Sequence, residues 1–158
     1  SRTDPLLVER LFEEEIPEIQ HGYIKIVAIA RNPGMRSKVA LYSRVDDIDA
    51  ISACSGVKGS KLSEISQELN GERFDLIEWS DDIVQFAVAA IYPAEVIRVV
   101  VDEDKDVIEL VIPDDKIAIA MGRGGNNLKL ASQLVGKKLE IVPQSQFSDV
   151  IPTVGIFS

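Results

Sequence analysis

Ala53-Cys54-Ser55-Gly56-Val57-Lys58-Gly59-Ser60-Lys61-Leu62 decides the fold, because it comes twice. Ala120-Met121-Gly122-Arg123-Gly124-Gly125-Asn126-Asn127-Leu128 repeats it 66 residues later. Each copy is a short apolar segment, a G-x-x-G with a cation inside, and an amphipathic helix. A glycine pair at this spacing lets backbone amides approach a phosphate at the positive end of the helix that follows. One such loop is a weak signal. Its recurrence in the same setting raises it.

Working outward, the repeat extends to whole units. Thr3 or Asp4 caps a first helix with Pro5 near its start, and Leu7, Val8, Leu11, Phe12 and Ile16 form its apolar stripe. Strands follow at 23–31 and 38–43 around the turn Asn32-Pro33-Gly34, then a helix started by Asp46 or Asp47 runs up to GVKG. A helix over 60–70 stops at Gly71, and 74–79 is a closing strand. The second round keeps this order. Asp81-Asp82 opens a helix ended by Pro93, and strands at 95–101 and 107–112 flank an acidic turn. A helix over 116–120 leads into GRGG, and a helix over 126–135 and a strand over 139–142 complete it. The helix ends also align: Leu69-x-Gly71-x-x-Phe74-x-Leu76 against Leu134-x-Gly136-x-x-Leu139-x-Ile141. The pattern predicts two domains, 1–79 and 80–143, and a tail over 144–158 of no assigned element.

A net charge of −9, taken as a total, argues against nucleic acid, but the distribution of charge points the other way. No acidic residue occurs over 19–45, 50–63 or 116–139, and these windows hold 12 of the 17 Lys and Arg. Both G-x-x-G loops lie inside them. Such segregation is a local positive footprint on an acidic chain. The plainer alternative is chance clustering along surface helices.

Other classes find little support. Neither loop has the phosphate-binding pattern of a nucleotide-using enzyme, since both follow helices rather than strands. A single His and a single Cys offer no nucleophile, base and orienting group, so no catalytic residue, metal site or cofactor is expected. His21 receives no role, and Cys54 and Met121 are expected in the core. The carboxylates of 102–106 lack calcium-loop order. One cysteine fits a reducing compartment, and no apolar run is long enough for a membrane span. A start on Ser1 rather than Met is expected of an excised piece.

The unit order, with G-x-x-G between two helices, resembles the prokaryotic (type II) KH module, whose loop clamps the backbone of about four nucleotides of single-stranded RNA. The ordered motifs resemble, more narrowly, the tandem KH region of the bacterial NusA family of transcription factors. They are Ser1-Arg2-Thr3, Glu15-Ile16-Pro17-Glu18-Ile19, Ile29-Ala30-Arg31-Asn32-Pro33-Gly34-Met35-Arg36-Ser37-Lys38-Val39-Ala40 and the first loop. They continue through Glu68-Leu69-Asn70-Gly71-Glu72, Val101-Asp102-Glu103-Asp104, Val111-Ile112-Pro113-Asp114-Asp115 and the second loop to Ala131. The resemblance covers residues 1–142. Arg123 stands where the family often has Lys, and the stretch after Pro143 matches no pattern of the family.

That resemblance implies an α+β fold of two tandem type II KH domains, each αββααβ with a three-stranded mixed sheet packed on helices. It implies single-stranded RNA binding, the nascent transcript, in pausing, termination and antitermination. Partners would be RNA polymerase and other antitermination factors through the full-length protein, with a monomer in the cytoplasm. The expected RNA-binding residues are Gly56, Val57, Lys58, Gly59, Ser60, Lys61, Gly122, Arg123, Gly124, Gly125, Asn126, Asn127 and Lys129. Arg31, Arg36 and Lys38 crowd one turn and are candidate RNA or polymerase contacts. The alternative is a protein-interaction module in which one or both units have lost RNA binding. Neutral readings also stand: turn glycines, solvated cations, and asparagines acting as helix caps.

Overall fold

The computed structural model describes residues 4–147. The chain divides into two compact units, the first ending at Asp81 and the second starting at Asp82.

In the first unit, α1 (Pro5–Glu15) starts on Asp4, whose carboxylate accepts the Leu6 amide at 2.9 Å. Pro17 restarts the chain as a one-turn helix, α2 (Pro17–Gln20). Strands β1 (Ile24–Asn32) and β2 (Arg36–Ser43) pair antiparallel. Helices α3 (Ala50–Ser55) and α4 (Ser60–Glu68) flank the first glycine loop, and β3 (Arg73–Glu78) returns parallel to β2. The sheet order β1-β2-β3 places β2 in the middle. Val8, Phe12 and Ile16 from the α1 segment meet Val39 and Leu41 of β2, Cys54 of α3 and Ile65 of α4 in one buried cluster. Burial with Glu18 nearby pushes the Cys54 thiol up to about 12, so it stays a protonated core group.

The second unit repeats the plan. Helix α5 (Ile83–Ala90) precedes β4 (Arg98–Asp102) and β5 (Val107–Ile112), which are antiparallel. Helices α6 (Ile117–Met121) and α7 (Asn126–Val135) flank the second loop, and β6 (Lys138–Pro143) runs parallel to β5. Its sheet order is β4-β5-β6. Each unit is therefore αββααβ with a three-stranded mixed sheet, with α2 as an extra turn in the first.

Three local expectations are corrected. Helix α3 begins not at Asp46 or Asp47 but after Asp49, whose carboxylate accepts the Ile51 and Ser52 amides. β4 starts at Arg98 rather than Glu95. Regular structure also continues beyond Pro143: residues 144–147 are helical, and Asp114 accepts the Ser145 amide at 3.0 Å. Arg98 lies 5.4 Å from the Phe147 ring centroid. The rest of the expected tail, like Thr3, lies outside the described residues.

The basic turn between β1 and β2 is not a free cationic surface. The Arg31 side chain is buried and grips Glu72 with two parallel bonds, Nη2 to Oε1 at 2.9 Å and Nε to Oε2 at 3.0 Å. Glu72 also accepts the Ser37 hydroxyl at 2.6 Å and the Gly34 amide at 3.0 Å, while Arg31 donates to the Asp4 carbonyl. Lys38 is fully buried against Asp75 at 3.0 Å, with burial lowering its pKa against the opposing pull of that carboxylate. Of the three candidate turn cations, only Arg36 keeps substantial exposure, 3.8 Å from Asp75. Arg31 and Lys38, expected as RNA or polymerase contacts, are thus both paired and desolvated within the first unit.

Burial raises the Glu72 carboxyl, but bonds from Arg31, Ser37 and the Gly34 amide outweigh it and hold its pKa below the ordinary value. A depressed folded pKa stabilises the fold above the unfolded carboxyl range and loses that contribution as pH falls through the folded value. Glu72→Gln strands a buried guanidinium and should cost about 3–5 kcal/mol in urea unfolding at neutral pH. The variant should also lose less stability than wild type on going from neutral to acid pH.

Candidate nucleic-acid interface

The two glycine loops have the same backbone. Gly56 (φ 78°, ψ 179°) corresponds to Gly122 (φ 76°, ψ 171°), and Gly59 (φ 75°, ψ 16°) to Gly125 (φ 75°, ψ 11°). The third loop residue is left-handed in both, Lys58 at φ 53° and Gly124 at φ 64°. The first glycine is fixed by space as well as conformation. A Cβ on Gly56 would sit 2.8 Å from Lys61 Cγ and 3.0 Å from its amide nitrogen; one on Gly122 would sit 2.6 Å from Asn127 Cβ. The fourth glycine has open surroundings and is required by its φ alone.

This turn delivers two helix starts without side-chain caps. Gly59 and Gly125 occupy the N-cap positions of α4 and α7, and no side chain accepts an amide there. By contrast α1, α3 and α5 begin on Asp4, Asp49 and Asp82, each of which accepts first-turn amides. Aspartate at either loop would place a negative charge where an anionic ligand would bind. Its absence leaves the positive end of each helix without a side-chain carboxylate, in an acid-free segment, while the amides of Ser60 and Asn126 bond to the Val57 and Arg123 carbonyls.

The residue after the first helical position ties each loop down. In the first unit the half-buried Lys61 reaches back to the Ala53 carbonyl at 3.4 Å and to Glu18 at 3.8 Å. At the equivalent position Asn127 is buried and donates to the Ala120 carbonyl at 2.9 Å and the Ile91 carbonyl at 3.2 Å. Both residues join the helix after the loop to the end of the helix before it. Lys61 and Asn127 therefore brace the loops from behind, whereas the sequence suggested ligand contacts. Glu18 was missed; it sits in the motif Glu15-Ile16-Pro17-Glu18-Ile19, with nothing in its spacing to mark Lys61 as its partner.

What remains at the mouth is compact. Lys58, Ser60, Arg123, Gly124 and Lys129 are exposed, and Asn126 is half-buried. Val57 is 80% exposed, an unusual position for a valine. Ile119 on α6, 45% exposed, puts apolar surface before the second loop. Each mouth thus combines amides, a cation and an uncovered apolar group, the parts needed for a phosphate flanked by an unstacked base. The loops differ in where the cation stands: third in GVKG, second in GRGG.

Comparison with known proteins agrees with this geometry. A family model for the NusA-like first KH domain matches residues 2–79, and one for the NusA-like second KH domain matches 83–149. The "Transcription termination/antitermination protein NusA" of Rickettsia conorii is 38% identical over 151 residues, 94% of this chain and 30% of its own length. Its namesake from Bacillus subtilis is 39% identical over 141 residues, covering 89% of this chain and 38% of its own length. The chain thus spans about a third of the curated relatives it matches. The crystal structure of APE1850 is similar with a TM-score of 0.59 at 19% identity, over 87% of this chain and 96% of that one, a likeness of fold. The chain belongs to the NusA-like tandem KH family, with both KH domains present in chain order.

The glycines separate conformation from space. Gly125→Ala should cost about 1 kcal/mol, the left-handed penalty alone. Gly122→Ala adds a clash with the Asn127 backbone and should cost about 3 kcal/mol. Chemical unfolding of the two variants measures the difference.

Proposed function

We propose that this chain binds single-stranded RNA through its two G-x-x-G loops, as the RNA-binding part of a longer transcription factor. The observation that carries this reading is the pair of helices that start on glycine, without caps, inside acid-free and cation-bearing segments. The loops Gly56–Ser60 and Gly122–Asn126 meet the phosphate backbone at the positive ends of α4 and α7, where no side-chain carboxylate stands. Lys58, Arg123 and Lys129 supply charge, while Val57 and Ile119 offer apolar surface to splayed bases. Lys61 and Asn127 hold the loops in shape. Two units together accommodate roughly eight nucleotides or more. Arg36 is at most an auxiliary contact.

The relatives are named for transcription termination and antitermination. On that basis the reading extends to the nascent transcript as ligand, and to pausing, termination and antitermination as the process. RNA polymerase and other antitermination factors would be met through the full-length protein. A cytoplasmic monomer without catalytic activity completes the proposal. Among the described residues no helix is long and apolar enough to cross a membrane, and no group of three His, Cys, Asp or Glu could hold a metal.

Binding of a single-stranded RNA should weaken with salt, with a log–log slope of about −2 if Lys58, Arg123 and Lys129 each neutralise a phosphate. Gly59→Asp and Gly125→Asp put a carboxylate at the loop and should each weaken binding at least about ten-fold. Wild-type binding no tighter than that of both variants would sink the RNA reading, and retained polymerase binding would then favour the protein-interaction module.

Lys58 adds a sharper test, because its left-handed backbone works against stability. Lys58→Gly should leave the unfolding midpoint unchanged or slightly raised. It should nevertheless reduce RNA affinity and flatten the salt slope by about 0.7.

A further inference from the structure

The first unit carries a second recess, apart from its glycine loop. A cavity of about 390 Å³ opens at the end of β2, walled by Tyr42 and Trp79. Their rings meet edge to face, with centroids 5.5 Å apart and planes at 87°, and Tyr42 is 43% exposed. Ile48 and Ile51 extend the apolar lining. An aromatic pair left half open to solvent offers ring faces to a ligand.

The charge around this cavity has one sign. Asp46, Asp47, Asp49 and Glu78 line it, and no Lys, Arg or His does. Asp46, Asp47 and Glu78 have no ion-pair partner among the described residues. Asp49 is held in place as the cap of α3, at the end of that helix away from GVKG. The three aspartates are also the only acidic residues between Ile19 and Ser63. In a stretch otherwise cleared of acid they gather around an aromatic recess.

Charge complementarity selects the occupant. Phosphate is repelled from such a rim, so the recess does not extend the RNA path. The carboxylates are not grouped to chelate a metal ion. A guanidinium satisfies every feature at once: it stacks flat on an aromatic ring and donates in a fork to carboxylates, whereas an ammonium is a strongly hydrated point charge. We propose that this recess docks an arginine side chain from a basic segment of a partner protein. The proposal is independent of RNA binding at the glycine loops, and either can fail without the other.

Trp79 is the chain's only tryptophan, so its emission reports on the recess directly. The probe is the capped peptide acetyl-Gly-Arg-Gly-Arg-Gly-amide, titrated into the chain at low salt, with the lysine analogue alongside. The arginine peptide should change Trp79 emission saturably, and the lysine analogue should bind more weakly. Asp46→Asn with Asp47→Asn should require about ten-fold more arginine peptide. Glu103→Gln with Asp104→Asn, an equal charge change in the acidic turn of the second unit, should leave the titration unaltered. All four residues are exposed, and far-UV circular dichroism checks that both double variants keep the fold. Equal weakening by the two double variants would reduce the effect to diffuse attraction and overturn the proposal. So would an unresponsive Trp79, or the same emission change produced by magnesium chloride or a single-stranded RNA alone.

Discussion

The structure depends on two places where the chain has no room for a side chain. At Gly56 and Gly122 an added Cβ would lie within about 3 Å of the second residue of the next helix. Only glycine fits there; the third and fourth loop residues are left-handed, and α4 and α7 start with glycine, not aspartate, at their caps. The sheets and remaining helices form a scaffold for this arrangement. Its chemical result is the same in both units: a helix start that no side chain caps, with the amides of Gly59, Ser60, Gly125 and Asn126 bonded only to carbonyls of the loop itself.

Equivalent backbone does not mean equivalent hardware. The first loop is braced by a cation, Lys61, against Glu18 and a carbonyl, and places Lys58 in a strained conformation. The second is braced by a buried neutral amide, Asn127, and relieves the same position with Gly124. Strain retained at an exposed lysine is consistent with a role for its charge, since glycine would fit the turn at lower conformational cost. The first loop carries Val57 where the second carries Arg123, so the two mouths present different surfaces to a ligand with a uniform backbone.

Much of the fold was legible because periodicity and punctuation are local. The duplicated G-x-x-G, the aligned helix ends and Gly71 and Gly136 give the order of elements without tertiary knowledge. Pairing is not local, and there the sequence misled. Arg31 and Lys38 look like a basic turn until Glu72 and Asp75, 41 and 37 residues away, are folded against them. The parallel pairing of β2 with β3 puts Lys38 directly beside Asp75, which no short-range pattern reveals. The same limit applies to Lys61 and Asn127, whose partners lie in earlier elements. Asp49 rather than Asp47 caps α3 because only the folded backbone shows which carboxylate reaches the free amides.

The central claim is that the starts of α4 and α7, without side-chain caps, each hold the backbone of single-stranded RNA. Amide chemical-shift mapping during titration with a single-stranded RNA of about ten nucleotides tests it most directly. The account predicts the largest shifts at the amides of Lys58 to Lys61 and of Gly124 to Asn127, in both units together. Shifts confined to other surfaces, with both loops unmoved at saturation, would contradict it.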